Sequence, residues 1–357
     1  MQARHLTSIH QLTVDDLNEI LHLSKAMKAQ PQRYATALAG KALAMIFQKP
    51  STRTRVSFQV GIHQLGGFGL SLGHNELQLG RGESVQDTAR VLSRYVDGIM
   101  ARVFSNDDIL RLADNATVPV INGLSDLLHP CQAICDYFTM QERFGDLQGL
   151  KVAYVGDGNN VAHSLAYGAA KLGVQLVICT PGGAYAPSEE VIAAARQDAH
   201  ATGATITLLK DPAEAVAGAR VVYTDVWTSM GEEAEATVRR VDLAAYQINA
   251  ALFGQAASDA IFMHCLPAHR GEEVTDEVAD HPRSVIFGQA ENRLHTQKAI
   301  MALLMGQLAA ARPRASARAT RAKRAAKRPG RPAPRGAKSR KAAPAKKQQL
   351  RKGGKSR

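Results

Sequence analysis

The chain has 357 residues, with 44 Lys plus Arg against 32 Asp plus Glu and 45% apolar side chains. That length predicts about two domains of ~150 residues, and that apolar content excludes a chain disordered throughout. Four cysteines exclude a disulfide scaffold, and no stretch nears the ~18 consecutive apolar residues of a membrane span.

The formal charge of +12 is unevenly spread. Residues 312–357 hold 19 Lys plus Arg and no acid; subtracting those 19 from 44 leaves 25 bases against 32 acids, a net of −7, in residues 1–311. The basic segment has no aromatic residue and one large aliphatic, Leu350. It cannot bury enough apolar surface to offset ordering entropy, so a disordered tail is expected. Counterion release makes non-specific nucleic-acid contact one role for it, sequence-blind without stacking aromatics; a solvated extension is the alternative. Residues 1–16 show early acids and no apolar run of a secretion signal, so a reduced, cytoplasmic chain is expected.

Taken in chain order, Leu43–Phe47 reads as a buried strand and Arg53–Leu65 as a helix stopped by Gly66 and Gly67. Val85, Ala89, Leu92 and Val96 keep helical spacing. Gly98–Val103 and Val118–Ile121 read as strands, and Ile134–Phe144 as a helix before Gly145 and Gly149. A second series follows. Val152–Val155, Val174–Cys179, Thr205–Leu209, Arg220–Thr224, Ile261–Met263 and Val285–Phe287 read as strands. Val161–Leu172 and Pro187–Thr202 are the helices between them, and Glu291–Ala311 is a long last helix. Alternation of this kind predicts an α/β fold of two doubly wound parallel-sheet domains with a cleft between them. The expected division is 1–148, 149–290, a helix over 291–311 returning to the first domain, and the tail at 312–357.

Gln48-Lys49-Pro50-Ser51-Thr52-Arg53-Thr54-Arg55 follows a strand and opens a helix. Ser51 is the expected N-cap, and free N–H groups, hydroxyls and guanidiniums gather at that end. This is an anion site, best suited to phosphate. Arg53 and Arg55 point to different faces, so at least one of them can serve structure. His129-Pro130-Cys131-Gln132 precedes a helix and offers a carbonyl polariser and an amide. Cys131 and Cys135 lack the second pair that a zinc site needs.

Gly156-Asp157-Gly158-Asn159-Asn160-Val161 lacks the third glycine of a dinucleotide fingerprint, and the following strand ends without an acid for a ribose. A polar loop holding a substrate fits better than NAD. Asp225, in Asp225-Val226-Trp227-Thr228-Ser229-Met230-Gly231, can hold an ammonium group, and Gly231 can hinge a loop. His264-Cys265-Leu266-Pro267 ends another strand, and Arg293 adds a cation in the last helix.

Together these segments resemble the aspartate/ornithine carbamoyltransferase family over about residues 5–310: STRTR at Ser51–Arg55, HPCQ at His129–Gln132 and HCLP at His264–Pro267 occur in the family's order. HPCQ with Cys131, the DVWTSMG segment and HCLP point to the ornithine-using branch. Gln59 stands where the family's RVSFE run has Glu.

The resemblance implies transfer of the carbamoyl group of carbamoyl phosphate to the δ-amine of L-ornithine, giving citrulline and phosphate in arginine metabolism. Another amine, such as putrescine or an acylated ornithine, is the alternative acceptor. It implies carbamoyl phosphate contacts at Ser51, Thr52, Arg53, Thr54, Gln78, Arg102, His129, Gln132, Cys265, Leu266 and Arg293. It implies ornithine contacts at Asn160, Asp225, Ser229 and Met230, with Arg102, His129, Asp225 and Cys265 as the catalytic groups. It further implies a cytoplasmic homotrimer with no metal and no cofactor, in which a neighbouring subunit contributes to the site.

Overall fold

A computed structural model describes residues 1–73, 82–229, 231 and 233–306. The apolar runs form strands buried largely on both faces, the arrangement of parallel sheets covered by helices. β1 (Ala42–Phe47), β2 (Phe68–Gly73), β3 (Gly98–Arg102) and β4 (Val120–Leu124) align as β2-β1-β3-β4. β5 (Lys151–Val155), β6 (Gln175–Cys179), β7 (Thr205–Leu209), β8 (Val221–Thr224) and β9 (Ile261–His264) align as β7-β6-β5-β8-β9. Every pairing within both sheets is parallel. The first strand of each sheet, β1 or β5, lies between later ones, so the winding reverses beside it. Loops part at the carboxyl ends of such strands, and ligands enter there.

The helices are α1 (Val14–Ala29), α2 (Thr52–Gln64), α3 (Val85–Leu92), α4 (Asn106–Asn115), α5 (Pro130–Phe144), α6 (Asn160–Leu172) and α7 (Glu189–Ala199), with short turns of helix between later strands and a final described helix at Ile286–Met305. That last helix packs against α1, α2 and α5, so it returns to the side of the first sheet. One core cluster runs through both halves, joining Met45 and Phe58 to Tyr137, Tyr154 and Leu165. α5 and α6 meet closely at Gly168, where a Cβ would lie 2.2 Å from the Tyr137 ring. A side chain at 168 would push the two halves apart.

The α/β reading holds, with differences of detail. Val285–Phe287 is not a strand. Only Ser284 bridges β9, the Val285 N–H donates to Phe262 O at 3.0 Å, and the chain then turns into helix at Ile286. The last helix therefore starts five residues before the expected Glu291. The stretch Pro187–Thr202 narrows to Glu189–Ala199, capped by Ser188. α1, α4 and β2 were not anticipated. α1 carries its own signal, a Thr13 capping box closed by Asp16. Gln78, Met230 and the expected tail at 312–357 lie outside the described residues.

Candidate active site

Ser51 ends the loop after β1 with an extended backbone, and its hydroxyl accepts from the Thr54 N–H at 3.2 Å. That cap turns the chain into α2 and leaves Thr52, Arg53 and Thr54 around its first turn, where N–H dipoles favour an anion. Arg102 stands at the end of the neighbouring β3. The Gln48 N–H donates to Arg102 O at 2.9 Å, and the Gln48 Oε1 accepts from Phe104 N at 2.9 Å, which ties the two strand ends together. Pro130 opens α5 directly behind His129. The His129 N–H donates to the Ser164 hydroxyl on α6 at 2.7 Å.

Opposite lie the strand ends of the second sheet. Asp225 follows β8 and Cys265 follows β9. The Asp225 carboxylate accepts from the Cys265 thiol at 2.8 Å and from the Asn159 amide at 2.9 Å. The loop after Cys265 is fixed by His264, whose Nδ1 accepts from Leu266 N at 2.9 Å and whose Nε2 faces the buried Glu273 carboxylate at 3.1 Å. Leu266 has φ 59° and precedes a cis bond to Pro267. A left-handed backbone costs a leucine about 1–2 kcal/mol, and the His264 contact helps hold it. Arg293 reaches over from the last helix. Its guanidinium donates to the Gln132 Oε1 and, at 3.4 Å, to the Thr54 hydroxyl.

Between these strand and helix ends lies a cavity of about 360 Å³. Ser51, Thr52, Arg53, Thr54, Arg102, His129, Gln132, Asn160, Asp225, Ser229, Cys265, Leu266 and Arg293 all face it. The structure thus brings together every expected site residue that it describes. Of the two arginines in the motif, Arg53 is in the lining and Arg55 is not. Lys49, Pro50, Leu124, Val161, Val226, Thr228, Pro267 and His269 complete the wall and are not among the expected site residues. All but Leu124, which ends β4, and His269, two residues past Pro267, lie inside the quoted motifs, which was the available signal.

Burial above all, then the Arg293, Arg102 and Arg53 charges, holds the His129 imidazole well below its ordinary 6.5, so it is neutral at pH 7. Burial lowers the Arg102 guanidinium to about 10, with Arg293 adding to the shift and Cys265 opposing it. Burial and the Asp225 carboxylate push the Cys265 thiol well above 9.0. Cys265 is therefore a thiol donor here, and Asp225 is its acceptor. Among the described residues that line the cavity, Arg102 Nε, His129 Nδ1, Thr228 Oγ1 and Arg293 Nε are buried without a hydrogen-bond partner. Four such donors and acceptors at one cavity are expensive unless a ligand meets them.

The loop after β5 does not make a dinucleotide site. Asn159 Oδ1 accepts from Val161 N and Ala162 N, so α6 is capped by its own chain. Gly158 is needed for packing, because a Cβ there would lie 2.4 Å from Pro187 N.

Residues 4–142 match the carbamoyl-P binding domain of aspartate/ornithine carbamoyltransferases, and residues 148–304 match the Asp/Orn binding domain. An ornithine carbamoyltransferase of Thermococcus kodakarensis is 58% identical over 311 residues, covering 86% of this chain and 98% of that one. An anabolic ornithine carbamoyltransferase of Pyrococcus furiosus is 55% identical over 311 residues, covering 86% and 98%. The solved structure of the Pyrococcus furiosus enzyme superposes with a TM-score of 0.82 over 84% of this chain and 96% of that one. An anabolic ornithine carbamoyltransferase from Campylobacter jejuni, 40% identical, gives 0.80 over 84% and 98%. With both family domains matched in order and the cavity lying where the two sheets open toward each other, the chain belongs to the aspartate/ornithine carbamoyltransferase family.

Proposed function

We propose that this enzyme transfers the carbamoyl group of carbamoyl phosphate to the δ-amine of L-ornithine, giving L-citrulline and phosphate. The observation that carries the reading is the polarity of one cavity: Arg53, Arg102 and Arg293 on one side, the Asp225 carboxylate with the Cys265 thiol on the other. A dianion and an ammonium group fit those two sides and no other way round.

In this reading Ser51, Thr52, Arg53, Thr54 and Arg102 hold the phosphate of carbamoyl phosphate, and Arg293 and Gln132 close its pocket. Leu266 offers backbone beside the carbamoyl group. His129, neutral, presents an N–H to the carbamoyl oxygen. Asp225 receives the δ-ammonium, with Asn160 and Ser229 along the rest of ornithine. Gln78 and Met230 belong to the same proposal by sequence alone. We read 1–148 as the carbamoyl-phosphate half and 149–290 as the ornithine half.

The chemistry follows. The δ-ammonium gives a proton to Asp225, which is the anionic member of the Asp225–Cys265 pair. The neutral nitrogen attacks the carbamoyl carbon, and negative charge grows on the carbamoyl oxygen, met by Thr54, Arg102 and His129. The carbon–oxygen bond to phosphate breaks, and the departing phosphate, held by Arg53 and Arg102, takes a proton from the new amide nitrogen. Enclosure keeps carbamoyl phosphate from water.

A homotrimer is part of the proposal. β2 is an edge strand paired only with β1 among the described residues, and beside it Val56, Val60, Phe68 and Leu70 are exposed. An open edge with apolar side chains invites a neighbouring subunit. We assign the enzyme to the cytoplasm, where its four free cysteines stay reduced. Citrulline formation by the purified chain from the two substrates tests the reading. Putrescine or acetylornithine used faster than ornithine would replace the acceptor, and no product with any amine would overturn it.

A further inference from the structure

Behind the cavity, and not in its lining, sits a fully buried carboxyl group, Asp136 of α5. Its Oδ1 accepts from the Gln132 amide at 2.7 Å and from the Gln289 amide at 2.7 Å, and its Oδ2 accepts from the Tyr223 hydroxyl at 3.1 Å. Each donor comes from a different part of the chain: α5, the last helix and β8.

The other ends of the two amides matter more. Gln132 Oε1 accepts from the Arg293 guanidinium, which also reaches Thr54. Gln289 Oε1 accepts from the His264 backbone N–H at 3.0 Å, one residue before Cys265. Guanidinium and backbone N–H are donors only, so each glutamine must present its oxygen there. Each must then turn its NH₂ toward residue 136. An acceptor at 136 fixes both amides at once, and through them one group on each side of the cavity.

We propose that Asp136 is a positioning residue for carbamoyl transfer: it aligns Gln132–Arg293 on the anion side and, through Gln289, the backbone that carries Cys265 on the amine side. The inference rests on the carbamoyl-transfer reading above. Asp136 touches no substrate. Its effect is geometric, and misplacement by about 1 Å can cost on the order of 100-fold in rate.

The test uses the full chain with three variants, all assayed at saturating and limiting levels of each substrate. Asp136→Leu removes the acceptor while keeping the branched outline of the side chain, with bulkier methyls in place of the oxygens. The expected result is a fall of roughly 30- to 100-fold in kcat, with KM rising for both substrates. Asp136→Asn keeps an oxygen for the two amides and an NH₂ for the Tyr223 oxygen, so it should recover activity to within about fivefold. Gln289→Met cuts only the amine-side arm. It should lower kcat and raise the ornithine KM, leaving the carbamoyl phosphate KM within about twofold. If Asp136→Leu does not fold, Asp136→Asn and Gln289→Met still decide. A melting temperature that drops in the variants while kcat and both KM values of the folded fraction stay at wild type would overturn the proposal. A wild-type chain that makes no citrulline defeats the functional reading instead, so the two failures are distinct.

Discussion

The Cys265 thiol and the Asp225 carboxylate meet at 2.8 Å across the ends of two adjacent strands, β9 and β8. Because burial and that carboxylate raise the thiol, the proton sits on sulfur, which donates to Asp225. Asp225→Ala is therefore expected to lower kcat/KM for ornithine by 100-fold or more, an estimate on the order of a lost buried charge contact. Carbamoyl phosphate affinity should stay within a few-fold. Steady-state kinetics in both substrates check this, and equal damage to both would undo the division of the cavity.

Arg53 lies on the opposite wall at the start of α2. Hydrogen bonds to charged groups contribute about 1.5–3 kcal/mol each. Arg53→Ala is expected to raise the carbamoyl phosphate KM on the order of 10- to 100-fold, with the ornithine KM little changed. Unchanged kinetics would remove the phosphate assignment.

Cysteine chemistry gives a third expectation. Cys131, Cys135 and Cys179 are fully buried, and burial pushes Cys131 and Cys179 up to about 12. Thiolate is the reactive form. A thiol-disulfide reagent at pH 8 should modify at most Cys265 in the native enzyme, slowly, and all four cysteines after denaturation. Rapid native titration of two or more would contradict the packing described.

The pH dependence of stability follows from His129. Its folded-state value is depressed, so below pH 6.5 the unfolded chain binds a proton that the native site refuses. Stability from this group is complete above 6.5 and declines as pH falls below it, by up to ~1.4 kcal/mol per pH unit. His129→Gln should lose less melting temperature than wild type between pH 7 and 5.5. Parallel curves for the two proteins would refute the neutral, buried imidazole.

The exposed edge at Phe68 supplies the last test. Light scattering on the eluting protein should give three times the 38.3 kDa chain mass. Phe68→Glu should reduce the assembled fraction. A monomeric wild type would remove the trimer.

The site was more legible than the fold around it. Loops at strand ends concentrate chemistry into short runs, so Ser51–Thr54, His129–Gln132 and Cys265–Leu266 could be read as motifs. Asp136 and Gln289 could not, because a buried carboxylate in a helix gives no periodic or spacing signal until its partners are placed. Val285–Phe287 looked like a strand since three residues carry no period, and what decides it is a tertiary bond to Phe262. β2 was missed because Phe68–Gly73 is Gly-interrupted and lies at the edge, where burial is partial. α1 escaped the reading because its amphipathicity is modest, although its Thr13–Asp16 capping box is a signal in the sequence.

The helix Ile286–Met305 leaves the second sheet and lies down among α1, α2 and α5, carrying Gln289 and Arg293 with it. Both residues follow the last strand of the second sheet in the chain, so synthesis reaches them only after both sheets. A nascent chain that has finished its first sheet still lacks the guanidinium that bonds Gln132, so substrate cannot reward folding until the helix that follows the second sheet has been made. Cutting the gene between the sheets would yield two halves, neither able to assemble the anion pocket by itself.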